Sequence, residues 1–124
     1  MSDDRIQAKG LGWLGMRTKH FEETTAFFQR ALGLELTAKE PAFAAMRFPN
    51  GDVLEVFGES LPGHDHFDTG PVVGFAVGDI DAARAQLERE GAQFFGPTAG
   101  NATMRWAHFR APDGNVYELS FREA

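Results

Sequence analysis

The sequence contains no cysteine, which excludes disulfide bonds and thiolate metal sites. No segment approaches the roughly 20 apolar residues of a membrane helix, and the polar residues 1–9 do not have the apolar core of a signal peptide. Basic clusters are also absent, and the net charge of −6 argues against a nucleic-acid surface. These absences predict a cytoplasmic protein that binds neither membranes nor nucleic acids.

Apolar residues are plentiful by contrast. They make up 43% of the 124 residues, and phenylalanine alone occurs 12 times, which is a globular composition. This length favours one domain spanning residues 1–124. The four histidines, His20, His64, His66 and His108, are all candidates for chemistry.

One short segment occurs twice. The sequence FPNGDVLEV at 48–56 returns as APDGNVYEL at 111–119, so that Glu55 corresponds to Glu118 at an offset of 118 − 55 = 63 residues. In each copy a proline–glycine turn precedes a strand that carries one glutamate among apolar residues. This pattern predicts a two-fold internal repeat rather than a solenoid, which needs three or more units.

The elements around the two copies follow the same order. Helical spacing of apolar residues, with glycine stops at Gly33 and Gly91 and an Asp79 N-cap, predicts helices over 19–33 and 79–91. Alternating and apolar runs predict strands over 11–18, 34–38, 43–48, 53–58, 72–77, 92–96, 103–110 and 116–121. The fold class is therefore α+β, with one βαβββ module at about 10–58, a linker at 59–71 and a second module at about 72–122.

Strand alternation predicts which side chains face away from the helices, since successive residues point to opposite faces of a sheet. If the more apolar face of each sheet meets its helix, the two opposite faces form a cup. That cup is lined by aromatic side chains and a few polar groups, as small-molecule pockets are. The predicted lining is Trp13, Arg17, Arg47, Glu55, Phe57, Val72, Trp106, His108, Arg110 and Glu118.

The paired modules, the FFQRALGLEL segment and the PDGNVYEL ending resemble the vicinal oxygen chelate superfamily, which includes glyoxalases, bleomycin resistance proteins and extradiol dioxygenases. The resemblance covers residues 11–122. It implies a cup-shaped, half-open barrel, a small-molecule ligand and a homodimer. Ala111 stands where that family often has aspartate.

The resemblance also implies four metal ligands, two on the first strands and two on the last strands of the modules. Glu55 and Glu118 match the last-strand pair, but the first-strand positions hold Trp13 and Val72, which cannot bind a metal. His108 offers a replacement ligand, and a site made of Glu55, Glu118 and His108 suits Zn, Ni, Mn or Fe.

Each candidate residue has an alternative role. Glu55 and Glu118 act as ligands or general bases, or pair with arginines as structural ion pairs. His108 is a ligand, an acid/base group or a structural histidine. His64 and His66 bind metal or belong to a solvated linker, and His20 lies on the helix surface. The substrate-binding candidates stack on a ligand, hold its anionic group or fill space; they are Trp13, Arg17, Arg47, Phe57, Trp106 and Arg110.

Two functions follow from this interpretation. The first is a glyoxalase/dioxygenase-like lyase or isomerase on a small oxygenated metabolite, with Glu55, Glu118 and His108 as the catalytic residues. The alternative is a non-catalytic drug- or metabolite-binding protein of the bleomycin resistance type, which the missing ligand pair favours. Metal-dependent turnover separates the first from the second.

Overall fold

The predicted order of strands and helices occurs twice in the protein, whose computed structural model describes residues 6–123. An N-terminal unit comprises Gly12–Val72, and a C-terminal unit joins the described residues up to Leu11 with those from Val73 onward. The elements are β1 (Gly10–Thr18), α1 (Phe21–Ala31), β2 (Glu35–Glu40), β3 (Phe43–Arg47), β4 (Val53–Gly58), β5 (Val72–Ala76), α2 (Ile80–Arg89), β6 (Gln93–Phe94), β7 (Ala99–Gly100), β8 (Met104–Arg110) and β9 (Val116–Arg122). The two βαβββ modules are confirmed, although β6 is shorter than predicted and β7 was not predicted.

The sheet of the N-terminal unit has the strand order β2–β3–β4–β1. Strands β2, β3 and β4 are antiparallel neighbours, whereas β1 runs parallel to β4. One face of this sheet packs against α1, as alternation predicted. The core there consists of Phe21, Leu34, Ala44, Met46, Leu54 and Val56, with Leu14, Met16, Phe28, Leu36 and Phe48 packed against it.

The sheet of the C-terminal unit repeats this plan with the order β5–β9–β8–β6, and β7 pairs with β8. Here β5 runs parallel to β9, while β8 is antiparallel to its neighbours. The helix-facing core consists of Val77, Ile80, Ala83, Phe109 and Leu119, packed by Ile6, Phe75, Leu87, Ala92, Phe94, Ala111, Tyr117 and Phe121.

The helices begin and end close to the predicted residues. Asp79 caps α2 by accepting a hydrogen bond from the Ala82 backbone N–H at 3.1 Å. Gly33 and Gly91 follow the helix ends with φ of 64° and 100°, the conformations that favour glycine. Leu32 has the helical spacing of Phe21 and Phe28, but it lies beyond the last helical residue and is 56% exposed. Among residues 6–123, no helix has the length and apolar character needed to cross a membrane.

The duplicated turns have the same hydrogen bonds. In the first, Gly51 N–H donates to Phe48 C=O, and Asn50 Oδ1 accepts from the Asp52 N–H at 3.0 Å. In the second, Gly114 N–H donates to Ala111 C=O, and Asp113 Oδ1, at the position of Asn50, accepts from the Asn115 N–H at 2.9 Å. The two glycines have φ of 93° and 84°. The repeated sequence therefore encodes a repeated turn, which sets the register of the following strand.

Candidate functional site

The two predicted glutamates occupy corresponding positions in their units. Glu55 on β4 faces Gly15 of the parallel strand β1. Glu118 on β9 faces Gly74 of the parallel strand β5. Their neighbours along each strand belong to the cores that meet the helices. Each glutamate therefore lies on the sheet face opposite its helix.

The Glu55 carboxylate is held by an indole. Trp13 Nε1 donates a hydrogen bond to Glu55 Oε1 at 2.9 Å. Trp13 and Gly15 lie on the same face of β1, and a Cβ placed on Gly15 would overlap the six-membered ring of the indole. Gly15 therefore provides the space in which Trp13 lies along the strand and reaches Glu55.

An aromatic cluster surrounds this pair and consists of Trp13, Phe57, His64 and Phe67. The His64 ring stacks on Phe57 with centroids 4.1 Å apart and planes inclined by 19°. Phe67, only 4% exposed, lies edge-on to the other three rings at centroid distances of 5.2–6.3 Å. The prediction of a solvated linker here is wrong for His64, because the loop carries an apolar anchor, Phe67, that draws its neighbours onto the sheet. His66 contacts the edge of the same anchor, at 5.0 Å between centroids.

The two arginines predicted in this unit differ in environment. Arg17 Nη2 lies 3.8 Å from Asp65 Oδ1, a weak pair because the aspartate side chain is 90% exposed. The buried Nε of Arg17 has no hydrogen-bond acceptor among residues 6–123. Arg47 is exposed and lies opposite Val53 in the β3–β4 pair. Of the two, Arg17 is the one that offers a buried donor for an additional oxygen atom.

In the C-terminal unit, Glu118 is paired with His108. The two residues are direct partners across β8 and β9, and His108 Nε2 lies 2.9 Å from Glu118 Oε1. Glu118 is only 4% exposed, and a carboxylate so deeply buried requires such a partner. When Glu118 is ionised, its Oε1 accepts a hydrogen bond from the Nε2–H of His108. The carboxylate also stabilises the imidazolium when His108 takes up a second proton.

Three further residues complete the predicted lining. Arg110 Nη1 donates to Gly114 C=O at 2.7 Å, and its guanidinium lies 5.2 Å from the Phe95 ring centroid, so it stabilises the second turn. Trp106 is half-buried opposite Ser120. Val72 is fully buried.

The donor set within each unit does not fit a metal centre, which usually has three or four protein ligands. Within residues 6–123, no group of three or more His, Asp or Glu side chains is arranged to hold a metal ion. Glu55 accepts from an indole N–H, which is not a metal ligand, and the C-terminal unit pairs one glutamate with one histidine. The assignment of Glu55, Glu118 and His108 to a metal stays a prediction, and we derive no chemical step through a metal.

Several contacts were not predicted from the sequence. Trp13 was expected to stack on a ligand or fill space, not to donate to Glu55. Asp65 and Phe67 were not singled out at all. One signal was available for the first: a tryptophan two residues before a glycine on a strand has an empty position beside it on the same face. The loop contacts have no such local signal.

Solved structures of low sequence identity share this fold. A Mn(II)-bound glyoxalase from Novosphingobium aromaticivorans is 21% identical with a TM-score of 0.75, over 97% of this chain and 42% of that one. Methylmalonyl-CoA epimerase from Mycobacterium tuberculosis is 18% identical with a TM-score of 0.68, over 94% and 90%. A variant of homoprotocatechuate 2,3-dioxygenase from B. fuscum is 16% identical with a TM-score of 0.69, over 96% and 34%. At these identities the likeness shows the fold alone.

The family comparison covers most of the chain. No curated protein matches the sequence at a significant level. The model of the Glyoxalase/Bleomycin resistance protein/Dioxygenase superfamily, however, matches residues 10–119. With the two βαβββ modules and the structural neighbours, this match confirms the predicted fold class. The chain belongs to the Glyoxalase/Bleomycin resistance protein/Dioxygenase superfamily.

Proposed function

We propose that this protein is a lyase or isomerase that transfers a proton on a small oxygenated metabolite by means of His108 and Glu118. The observation that carries the proposal is the buried contact of 2.9 Å between His108 Nε2 and Glu118 Oε1. A base held in place by a second group is the usual arrangement for general acid–base catalysis. Epimerases and glyoxalases among the structural neighbours support the same reaction class by analogy of fold.

The chemistry needs only a proton acceptor and a group that stabilises its charged form. His108 takes the proton from a carbon next to a carbonyl group, and the electron pair of the C–H bond moves into the carbonyl as an enolate. Glu118 stabilises the imidazolium that forms. An isomerase then returns the proton to a carbon of the same substrate, whereas a lyase expels a leaving group from the enolate.

The test is hydrogen–deuterium exchange at carbon. The protein is incubated in D₂O with 2-oxo acids, 2-hydroxy acids and acyl thioesters, including methylmalonyl-CoA, and loss of the C–H signal is followed by NMR. The variants are His108→Gln and Glu118→Gln, with His20→Gln as the matched control because His20 is exposed and lies before α1. Removal of a general base lowers such rates by about 10²–10⁴-fold.

We expect exchange with at least one substrate, its loss in both site variants and its retention in the control. Exchange that persists in His108→Gln would contradict the assignment of the base, and no exchange with any compound would contradict the enzyme proposal.

Metal analysis of protein purified without a chelator or affinity tag belongs to the same experiment. Stoichiometric Zn, Ni, Mn or Fe that is lost in Glu118→Gln and His108→Ala would support the predicted metal site.

A second function is favoured by the N-terminal unit. Here the aromatic cluster lies beside Arg17, whose buried Nε has no acceptor among residues 6–123. A bound carbonyl or carboxylate oxygen would satisfy that donor, and aromatic faces bind planar ligands. These features support a binding protein of the bleomycin resistance type, whose ligand is a planar compound with an oxygen acceptor.

Tryptophan fluorescence tests this second function. The chain has two tryptophans, so Trp106→Phe makes Trp13 the sole reporter. In that background, quenching by planar carboxylates such as 2-naphthoate is expected to weaken about tenfold in Arg17→Gln, because a charge-assisted hydrogen bond is lost. The control is Arg47→Gln, which removes an exposed arginine of the same unit. Equal affinities in the two variants would contradict a role for Arg17.

We retain the homodimer and the cytoplasmic location as proposals. The first is supported by the resemblance to the superfamily and the second by the absence of cysteine. Sedimentation at several protein concentrations tests the dimer.

A further inference from the structure

A cavity lies within the C-terminal unit, on the helix side of its sheet. It has a volume of about 670 Å³, within the range of small-molecule sites. Its walls come from α2, from β5, β8 and β9, and from the segment around Ile6 and Ala8. His108 and Glu118 lie on the opposite face of the same sheet, so this cavity is separate from the proposed catalytic pair.

The interior of the cavity is apolar and partly aromatic. Its lining includes Phe75, Phe109 and Tyr117, and the Tyr117 ring contacts the other two at centroid distances of 5.8 and 5.9 Å. On the helix side, Ala83 and Leu87 contribute methyl groups to the lining. A ligand that fills this space therefore needs an apolar or aromatic body.

Among residues 6–123, the charged side chains of the lining are both acidic. Glu90 and Asp113 contribute carboxylates, and no lysine, arginine or histidine of the described residues belongs to the lining. Tyr117 Oη donates to Asp113 Oδ2 at 2.6 Å, and this hydrogen bond lowers the pKa of Asp113. The carboxylate is therefore ionised at neutral pH.

The end of α2 adds a further negative potential. Gln86, Leu87 and Glu90 lie in or just after its last turn, where backbone carbonyl groups carry the negative end of the helix dipole. Gln86 Oε1 accepts from the Ile6 N–H at 3.3 Å, which holds the segment around Ile6 against the end of α2. The two carboxylates and the helix C-terminus would attract a cation, and the aromatic side chains would contact an apolar group attached to it.

We propose that this cavity, between α2 and the face of β5, β8 and β9 that packs on it, binds a hydrophobic monocation such as an arylalkyl amine. The apolar body lies against the partly exposed side chains of Phe75, Leu87 and Tyr117, and the ammonium group lies at the rim between Glu90 and Asp113. This ligand class is independent of the oxygenated metabolite proposed for His108 and Glu118.

The experiment compares three probes of similar shape and different charge: 4-phenylbutylammonium, neutral 4-phenylbutanol and anionic 4-phenylbutyrate. Binding is measured by calorimetry and by NMR shifts of the Ala83 and Leu87 methyl groups. The cation is expected to bind tightest, to shift both methyl signals and to weaken as salt is added. Equal or tighter binding of the anion, or no binding of the cation, would overturn the proposal.

Variants locate the ammonium group. Glu90→Gln and Asp113→Asn should each weaken the cation by about threefold to fivefold, as expected for partly exposed charge pairs, and leave 4-phenylbutanol unchanged. Glu123→Gln is the matched control, since it removes an exposed carboxylate of the same unit that does not line the cavity. Because Asp113 also holds Tyr117, thermal unfolding of Asp113→Asn is measured alongside, and Glu90→Gln provides the second, structurally milder test. An effect of Glu123→Gln equal to that of Glu90→Gln would overturn the site assignment.

His108→Gln separates this inference from the proposed enzyme. It should abolish exchange at carbon and leave binding of 4-phenylbutylammonium unchanged. If it weakened the cation as much as Glu90→Gln does, the cation would lie on the other face of the sheet and the proposal would fail.

Discussion

Trp13 Nε1 donates to Glu55 Oε1 at 2.9 Å across a strand pair in which Glu55 faces Gly15, not Trp13. The indole therefore reaches Glu55 diagonally, over Gly15, which has no side chain. In the other unit His108 and Glu118 make the corresponding contact as direct cross-strand partners. Each glutamate is thus bonded to a ring nitrogen, but by a different route along the sheet.

Gly15→Ala is expected to displace the indole. The added methyl group would overlap the Trp13 ring, and overpacking of this kind costs about 1–3 kcal/mol of the free energy of unfolding. Urea denaturation measures the loss, and Trp13 emission in a Trp106→Phe background should shift to the red. Gly15→Ala in a Trp13→Leu background is the control and should cost much less. An equal cost in both backgrounds would show that the indole does not occupy this space.

His108→Ala should destabilise the protein more than His108→Gln. Alanine leaves the buried Glu118 carboxylate without its ring donor, which costs about 3 kcal/mol or more, whereas a glutamine amide can donate a replacement hydrogen bond and should cost about 1 kcal/mol. Denaturation at neutral pH measures both. Equal losses would show that the hydrogen bond between His108 and Glu118 contributes little to stability, and that the loss comes from removing the packed ring.

Tyr117 should titrate above its ordinary value. The hydrogen bond that it donates to Asp113 raises the pKa of the phenol above 10.0, and it is the single tyrosine of the chain, so tyrosinate absorbance reports on it alone. Asp113→Asn should lower this pKa towards 10.0. The control is Asp52→Asn, in the corresponding turn of the other unit, which should leave the titration unchanged.

The same pair makes a pH-dependent contribution to stability. The raised pKa of Tyr117 means that its contribution is complete below 10.0 and lost as the pH rises through the folded value. The lowered pKa of Asp113 means that its contribution is complete above 3.8 and lost as the pH falls through the folded value. The difference in melting temperature between the natural protein and Tyr117→Phe should therefore be largest between these limits. A difference that is constant across the whole range would rule out this linkage.

Gly51→Ala and Gly114→Ala should each cost about 1–2 kcal/mol, because both glycines have positive φ values that alanine adopts only with strain. An added Cβ meets no atom within 4 Å at either position, so backbone conformation is the cause. Asn is the matched substitution, since it tolerates positive φ better than alanine. If asparagine cost as much as alanine at both positions, the strain argument would be wrong.

Much of the fold could be predicted because its signals are local. Apolar spacing and the glycines after each helix gave the helix ends, and the two proline–glycine turns gave the hairpins and the repeat. Alternation along β4 and β9 also assigned the glutamates to the face away from the helices. The helix predicted over 19–33 was slightly too long at its end, because Leu32 has helical spacing although the helix has already ended at Ala31.

The candidate site was less accessible to the sequence. The sequence indicated Glu55, Glu118 and His108 as candidates, but the hydrogen-bond partners of the glutamates depend on the register of the strands. His108 faces Glu118 directly, while Trp13 reaches Glu55 only past a glycine. The position of His64 on Phe57 depends on the path of a loop with no regular structure. The path of this loop depends on its buried residue Phe67 and on the side chains against which Phe67 packs.

The sequence by itself therefore determined the repeat, the order of the elements and the family, because these depend on contacts between residues close along the chain. The tertiary structure alone decided which ring donates to which glutamate and where the acidic rim around Glu90 and Asp113 lies over an apolar cavity. These features join residues from separate strands, helices and loops, and their distances depend on how whole elements pack rather than on any local pattern.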